Sequence, residues 1–118
     1  MINIKRIYDI VGKKDDSYKI LVDRLRPRGV SKEKANIDIR LKDIAPSNEL
    51  RKEFWHDVNK RESFKKNYIK ELEGNKNAVW DIINIIKKHN AITLIYSAKD
   101  TEHNNAIVLQ EFLQKYYK

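Results

Sequence analysis

Apolar positions along the chain fall into two kinds of spacing, and the spacing predicts the elements. Ile2 and Ile4, with Tyr8 beyond them, recur at every second residue, as in a strand with one face buried. The stretch from Asp9 to Ser17 holds Gly12 and Asp15-Asp16 and reads as a loop. Tyr18 to Asp23 and Ala91 to Ala98 are short runs rich in β-branched and aliphatic residues, read as buried strands. Whether the first two strands run parallel stays open, because a tight return makes an antiparallel pair and a parallel pair needs a longer crossover.

The remaining apolar residues keep helical spacing. Leu50 and Phe54 share a face, as do Phe64, Tyr68, Ile69 and Leu72, then Val79, Ile82, Ile83 and Ile86, and finally Leu109, Phe112, Leu113 and Tyr116. Ser47 after Pro46 is placed to cap the first of these helices, with Glu49 in its first turn. Gly74 is a terminator for the second, and the third ends near His89-Asn90. The last helix is expected to start at Asp100 or Thr101. Ser31 is a candidate cap for a short helix over Lys32 to Asn36. Ile37, Ile39, Leu41 and Ile44 stand in a charged stretch that reads as extended or as a broken helical turn. The pattern predicts one small α/β domain over residues 1–118, a few-stranded, largely parallel sheet covered by several helices.

A chain of 118 residues can bury a core without metals or disulfides. Cysteine is absent, which removes disulfides, thiol catalysis and cysteine-based zinc sites. No apolar run approaches the ~20 residues of a membrane span, and the start of the sequence lacks the apolar stretch of a secretory signal, so a cytoplasmic protein with no membrane partner is expected. The net charge is +8, with +4 in residues 1–59 and +4 in residues 60–118. One segment is denser. Arg24, Arg26, Arg28, Lys32 and Lys34 face only Glu33, which is +4 in eleven residues.

Two polar segments follow the two buried runs, Asp23-Arg24-Leu25-Arg26-Pro27-Arg28-Gly29 and Lys99-Asp100-Thr101-Glu102-His103-Asn104-Asn105. In one parallel sheet both emerge at the carboxyl edge, where open α/β sheets place ligands. Arg24, Arg26 and Arg28 alternate around Leu25 and Pro27, a spacing that puts three guanidinium groups on one side of an extended chain, suited to a phosphate or carboxylate. Asp23 is either a salt-bridge partner or an acid/base group. In the second segment, Lys99, Asp100 and Asn104 surround the start of a helix, whose free N–H groups and dipole favour an anion. His103 in that first turn is the candidate proton carrier, with Glu102 or Asp23 as its partner.

Plainer readings compete with these. Asp100 or Thr101 is an ordinary N-cap, Glu102 complements the dipole, and the arginines pair with Asp38 and Asp43. His56 in Trp55-His56-Asp57 does not face its acidic neighbour on a helix. His89 caps carbonyls at a helix end. The three histidines lack zinc-ligand spacing, no cofactor fingerprint is present, and no serine has a glycine-flanked elbow.

Three stretches together resemble the YeaO-like proteins of the family known as domain of unknown function 488. They are Asp23-Arg24-Leu25-x-Pro27-Arg28-Gly29; Lys42-Asp43-Ile44-Ala45-Pro46-Ser47 with Glu49-Leu50-Arg51; and Ala98-Lys99-Asp100-x-Glu102-His103-Asn104-Asn105-Ala106. The resemblance spans essentially the whole chain. It implies a small cytoplasmic α/β protein with these segments gathered into a pocket, and it implies no particular reaction. Arg26 stands where the family usually has tryptophan, which exchanges a stacking surface for a charge. Distant members carry a Cys-His-Arg run near His103-Asn104-Asn105, and this cysteine-free chain cannot share thiol chemistry with them.

Three functions are therefore expected, in this order. The first is a pocket for an anionic, phosphate-bearing small molecule, with catalysis left open. The second is a nucleic-acid-binding module using residues 24–34. The third is a structural or regulatory protein whose polar segments form a salt-bridged knot.

Overall fold

The computed structural model describes residues 2–10, 16–23, 36–54, 60–97 and 104–116. Their elements are β1 (Ile2–Arg6), α1 (Ile7–Ile10), β2 (Tyr18–Leu21), β3 (Ile39–Arg40), a 3-10 turn (Lys42–Ile44), α2 (Asn48–Phe54), α3 (Arg61–Gly74), α4 (Lys76–Lys88), β4 (Ile92–Tyr96) and α5 (Asn105–Tyr116). The four strands form one sheet in the order β1-β4-β2-β3, and every pairing is parallel. Strands β1 and β2 thus run the same way without touching. Strand β4 lies between them and pairs with both, so a hairpin between them is excluded.

The position of β4 explains its composition. A strand flanked on both edges and covered on both faces is buried throughout, and all five residues of Ile92–Tyr96 are buried. Side chains alternate across the sheet. Ile2, Ile20, Val22, Ile92, Leu94 and Tyr96 join the main core with the helices, including Tyr68, Leu72, Val79, Ile82, Leu109 and Leu113. On the second face Leu21 and Ile95 meet Ile7, Ile10 and Ile37 in a smaller cluster.

Polar bonds fix the helices on this core. Ser47 caps α2, its Oγ accepting the Leu50 N–H at 3.2 Å, while its own N–H and hydroxyl donate to the two carboxylate oxygens of Glu71 on α3. The buried Tyr68 hydroxyl donates to the Ile44 carbonyl at 2.6 Å, tying α3 to the 3-10 turn. Gln110 on α5 donates to the Ile2 carbonyl at 2.6 Å and holds that helix over β1.

Several expectations change in detail. The β1 pattern stops at Arg6 and Tyr8 lies in α1, inside the stretch expected to be strand and then loop. The ambiguous stretch at Ile37–Ile44 is both things in turn, a two-residue strand and then a 3-10 turn. Gly74 is the last residue of α3 and Asn75 serves as its C-cap, its N–H donating to the Leu72 carbonyl. The His89 backbone N–H caps the Ile86 carbonyl, but its ring stacks on Tyr18 with centroids 3.9 Å apart. The described part of the last helix begins at Asn105, and its cap is Asn104, whose Oδ1 accepts the Ile107 N–H at 3.1 Å. Asp100 and Thr101, expected to open it, lie outside the described residues, as do Ser31 to Ala35.

Candidate functional site

The carboxyl ends of β2 and β4 are adjacent, and their register decides which side chains meet there. Leu21 pairs with Ile95, and two residues further Asp23 and Ser97 project on that same face. The ladder carries on past β2, with the Val22 N–H donating to the Ile95 carbonyl at 3.0 Å. Asp23 Oδ2 then accepts two bonds from Ser97, from the backbone N–H at 2.7 Å and from the hydroxyl at 2.6 Å. Asn105, the first residue of α5, donates from Nδ2 to the Val22 carbonyl at 3.0 Å and lies 3.4 Å from Asp23 Oδ1. One half-buried carboxylate thereby binds two strand ends and a helix start.

This clasp lies where the chain diverges. From β2 the chain proceeds to β3 on one side, whereas from β4 it proceeds to α5, which packs against β1 and β4 on the other. Adjacent parallel strands whose chains continue to opposite sides mark a topological switch point, the recurrent ligand position of open parallel sheets. The start of the first polar segment and the end of the second are thus neighbours at this edge.

Among the residues expected to form a site, Asp23 and Asn104 are described. Asp23 is the centre of the clasp. Asn104 is 7 % exposed, and its Oδ1 caps α5. Arg24, Arg26, Arg28, Lys99, Asp100, Glu102 and His103 lie outside the described residues, as do Lys32, Lys34 and Trp55-His56-Asp57. Of the two acids considered as arginine partners, Asp38 accepts the Lys19 N–H at 2.7 Å through Oδ2, and Asp43 accepts from Asn75 at 3.0 Å through its backbone carbonyl, bonds that do not bear on pairing with the arginines. Ser97 is the contributor that sequence reasoning passed over, and Asn105 stands in the second polar segment without a role of its own in that reasoning. Their only signal is position, a hydroxyl one residue past a buried strand and an amide opening the next helix.

Two open clefts border the described residues. The larger, about 820 Å³, lies at the opposite, amino edge of the sheet, between Tyr18, Asp38 and His89. The smaller, about 610 Å³, runs along edge strand β1 beside Tyr96, Ile107 and Gln110. Among the described residues no three metal-ligating side chains come together, and no helix is long and apolar enough to cross a membrane.

A family model described as "Inactive DUF488-N3 subclade" matches residues 1–118. The uncharacterized protein YeaO of Escherichia coli (strain K12) is 42% identical over 113 residues, covering 96% of each chain. The uncharacterized proteins Mb3100c of Mycobacterium bovis and Rv3073c of Mycobacterium tuberculosis are each 28% identical over 112 residues, covering 95% of this chain and 92% of theirs. No solved structure matches the chain significantly.

Proposed function

The chain belongs to the DUF488 family, in the N3 subclade described as inactive, and from that premise we propose that it is a non-catalytic binding protein for a small phosphate-bearing ligand. The proposed site lies at the carboxyl ends of β2 and β4. The observation that carries this reading is the meeting of Asp23 with Ser97 and Asn105, which brings the described ends of two basic, polar segments to one edge. Arg24, Arg26, Arg28 and Lys99 are the anion-holding groups of the proposal, with Asp100, Glu102, His103 and Asn104 around them. Asp23 is a positioning residue here, because its carboxylate is engaged by Ser97. The word inactive in the subclade's description and the lack of any cysteine both favour binding over turnover. A cytoplasmic setting belongs to the same proposal, since phosphorylated metabolites are plentiful there.

The test is a thermal-shift series with inorganic phosphate, nucleoside monophosphates and sugar phosphates, repeated on Arg24→Ala and Arg28→Ala. Stabilisation by at least one phosphorylated compound, lost in both variants, is the expected result. Equal melting temperatures across the whole panel overturn the proposal, and turnover of any bound compound overturns its non-catalytic part.

The basic density of residues 24–34 favours a second reading, nucleic-acid binding. Retention of labelled RNA or DNA that weakens steeply with salt, and that free phosphate fails to displace, supports that reading over the small-molecule pocket.

A further inference from the structure

The amino edge of the sheet carries the larger cleft, about 820 Å³, within the usual range of small-molecule sites. It lies at the end of the strands opposite the Asp23 clasp, so it is a separate place on the molecule. Its lining is polar and of mixed sign, with Asp16, Lys19, Asp38 and Lys88 all contributing.

The charged groups in it are held differently, and the difference matters. Lys19 is 3 % exposed, and its ammonium is already engaged, donating to the Ser17 carbonyl at 3.2 Å. The Lys19 backbone N–H donates to Asp38 Oδ2 at 2.7 Å. That bond orients the Asp38 carboxylate and leaves Oδ1 as an acceptor. Among the described residues, Asp16 and Lys88 enter no hydrogen bond or ion pair, and neither do the ring nitrogens of His89. The His89 ring is nonetheless fixed in place, stacked on Tyr18 at 3.9 Å and 17°. Two acidic acceptors and two basic or donor groups thus line one cleft without neutralising each other.

Beneath them the wall is stiff. Ser17 Oγ and Thr93 Oγ1 are 2.7 Å apart and tie the approach to β2 to the central strand. Asn36 adopts φ 55, the left-handed region that asparagine tolerates better than other side-chain-bearing residues, and it too lines the cleft. The backbone wall, the Asp38 carboxylate and the His89 ring are thus set before a ligand enters, while the exposed Asp16 and Lys88 side chains adjust to it.

We propose that this amino-edge cleft is a second binding site, for a small zwitterion of the α-amino-acid type, with the ligand's ammonium at Asp38 and Asp16 and its carboxylate at Lys88 and His89. A purely anionic ligand meets two carboxylates there, and a purely cationic one leaves Lys88 and the His89 ring without a partner. Only a ligand carrying both signs satisfies both sets of groups.

The test is an NMR titration of the full chain with glycine, L-serine and L-phenylalanine, following the backbone amides of residues 16–19, 36–38 and 88–91. Acetate and methylammonium serve as half-ligands. Saturable shifts confined to these amides with at least one amino acid, and none with either half-ligand at the same concentration, are expected. Asp38→Asn keeps an acceptor for the Lys19 N–H and so preserves the fold, and Lys88→Met alters an exposed side chain. Each variant is expected to weaken binding about tenfold or more, the effect of one charge-assisted contact. Unmoved amides with all three amino acids overturn the proposal. So does equal binding of a half-ligand, or undiminished affinity in both variants.

Discussion

Replacing Asp23 by asparagine tests whether the clasp at the carboxyl edge is a working joint of the fold. In the native protein Asp23 Oδ2 accepts both Ser97 bonds, at 2.7 and 2.6 Å. Hydrogen bonds to a charged acceptor contribute about 1.5–3 kcal/mol each, and a half-buried carboxylate belongs at the lower end of that range. Asparagine keeps one acceptor oxygen, which still takes both Ser97 bonds as neutral ones of about 1 kcal/mol each, while its amide group sets a donor where Oδ1 faced Asn105, at a further cost of about 1 kcal/mol. The net loss works out at about 2 kcal/mol. With an unfolding entropy near 2.1 cal/mol/K per residue, 118 residues convert this into a fall in melting temperature of about 8 °C. Ser97→Ala removes the hydroxyl bond alone and costs about 1.5 kcal/mol. Because both changes act on one oxygen, the double variant loses less than the sum, with a coupling of about 0.5 kcal/mol. Urea denaturation of the four proteins at neutral pH measures all three quantities. A loss below about 0.5 kcal/mol for Asp23→Asn, or strict additivity with Ser97→Ala, refutes the reasoning.

Two further substitutions probe the supports beneath the site. Tyr68→Phe strips the buried Ile44 carbonyl of its partner at 2.6 Å and lowers stability by about 1–3 kcal/mol in urea unfolding, with α-helical content unchanged by circular dichroism. Ser47→Ala removes both the cap of α2 and the hydroxyl bond to Glu71, and is expected to cost about 1–2 kcal/mol; Ser47→Asp restores the cap but sets a second carboxylate against Glu71, so it does not recover full stability.

How much of this was legible in the sequence follows from the range over which each signal acts. The continuous run Ile92–Tyr96 reports burial on both faces, and Ser47 three residues before Leu50 reports a helix start; both signals are complete within a few residues. The relation of β1 to β2 is of another kind. It depends on β4, which arrives some seventy residues later and separates them, and no local pattern near Asp9–Ser17 carries that information. The clasp is equally remote, with Asp23 and Ser97 separated by 74 positions. The start of the last helix was obscured for the opposite reason, an excess of local signal. Asp100, Thr101, Asn104 and Asn105 are all capping types, and propensity alone does not choose among them. In the structure the Asn104 oxygen sits on the Ile107 N–H.

The strand order also bears on how the chain comes together in time. As the polypeptide leaves the ribosome from its amino end, β2 and β3 can pair early, because they are neighbours in both sequence and space. Strand β1 has no such option. Its sole described strand partner is β4, so its backbone waits unpaired until residues 92–96 have been made. The main core is similarly incomplete without Leu94, Leu109 and Leu113. Assembly is therefore gated by the last quarter of the sequence, and a nascent chain stalled before that point exposes an unpaired strand with one apolar face that a neighbouring nascent chain can pair with. The insertion that brings Ser97 to Asp23 at the carboxyl edge is also the step that ends this vulnerable interval.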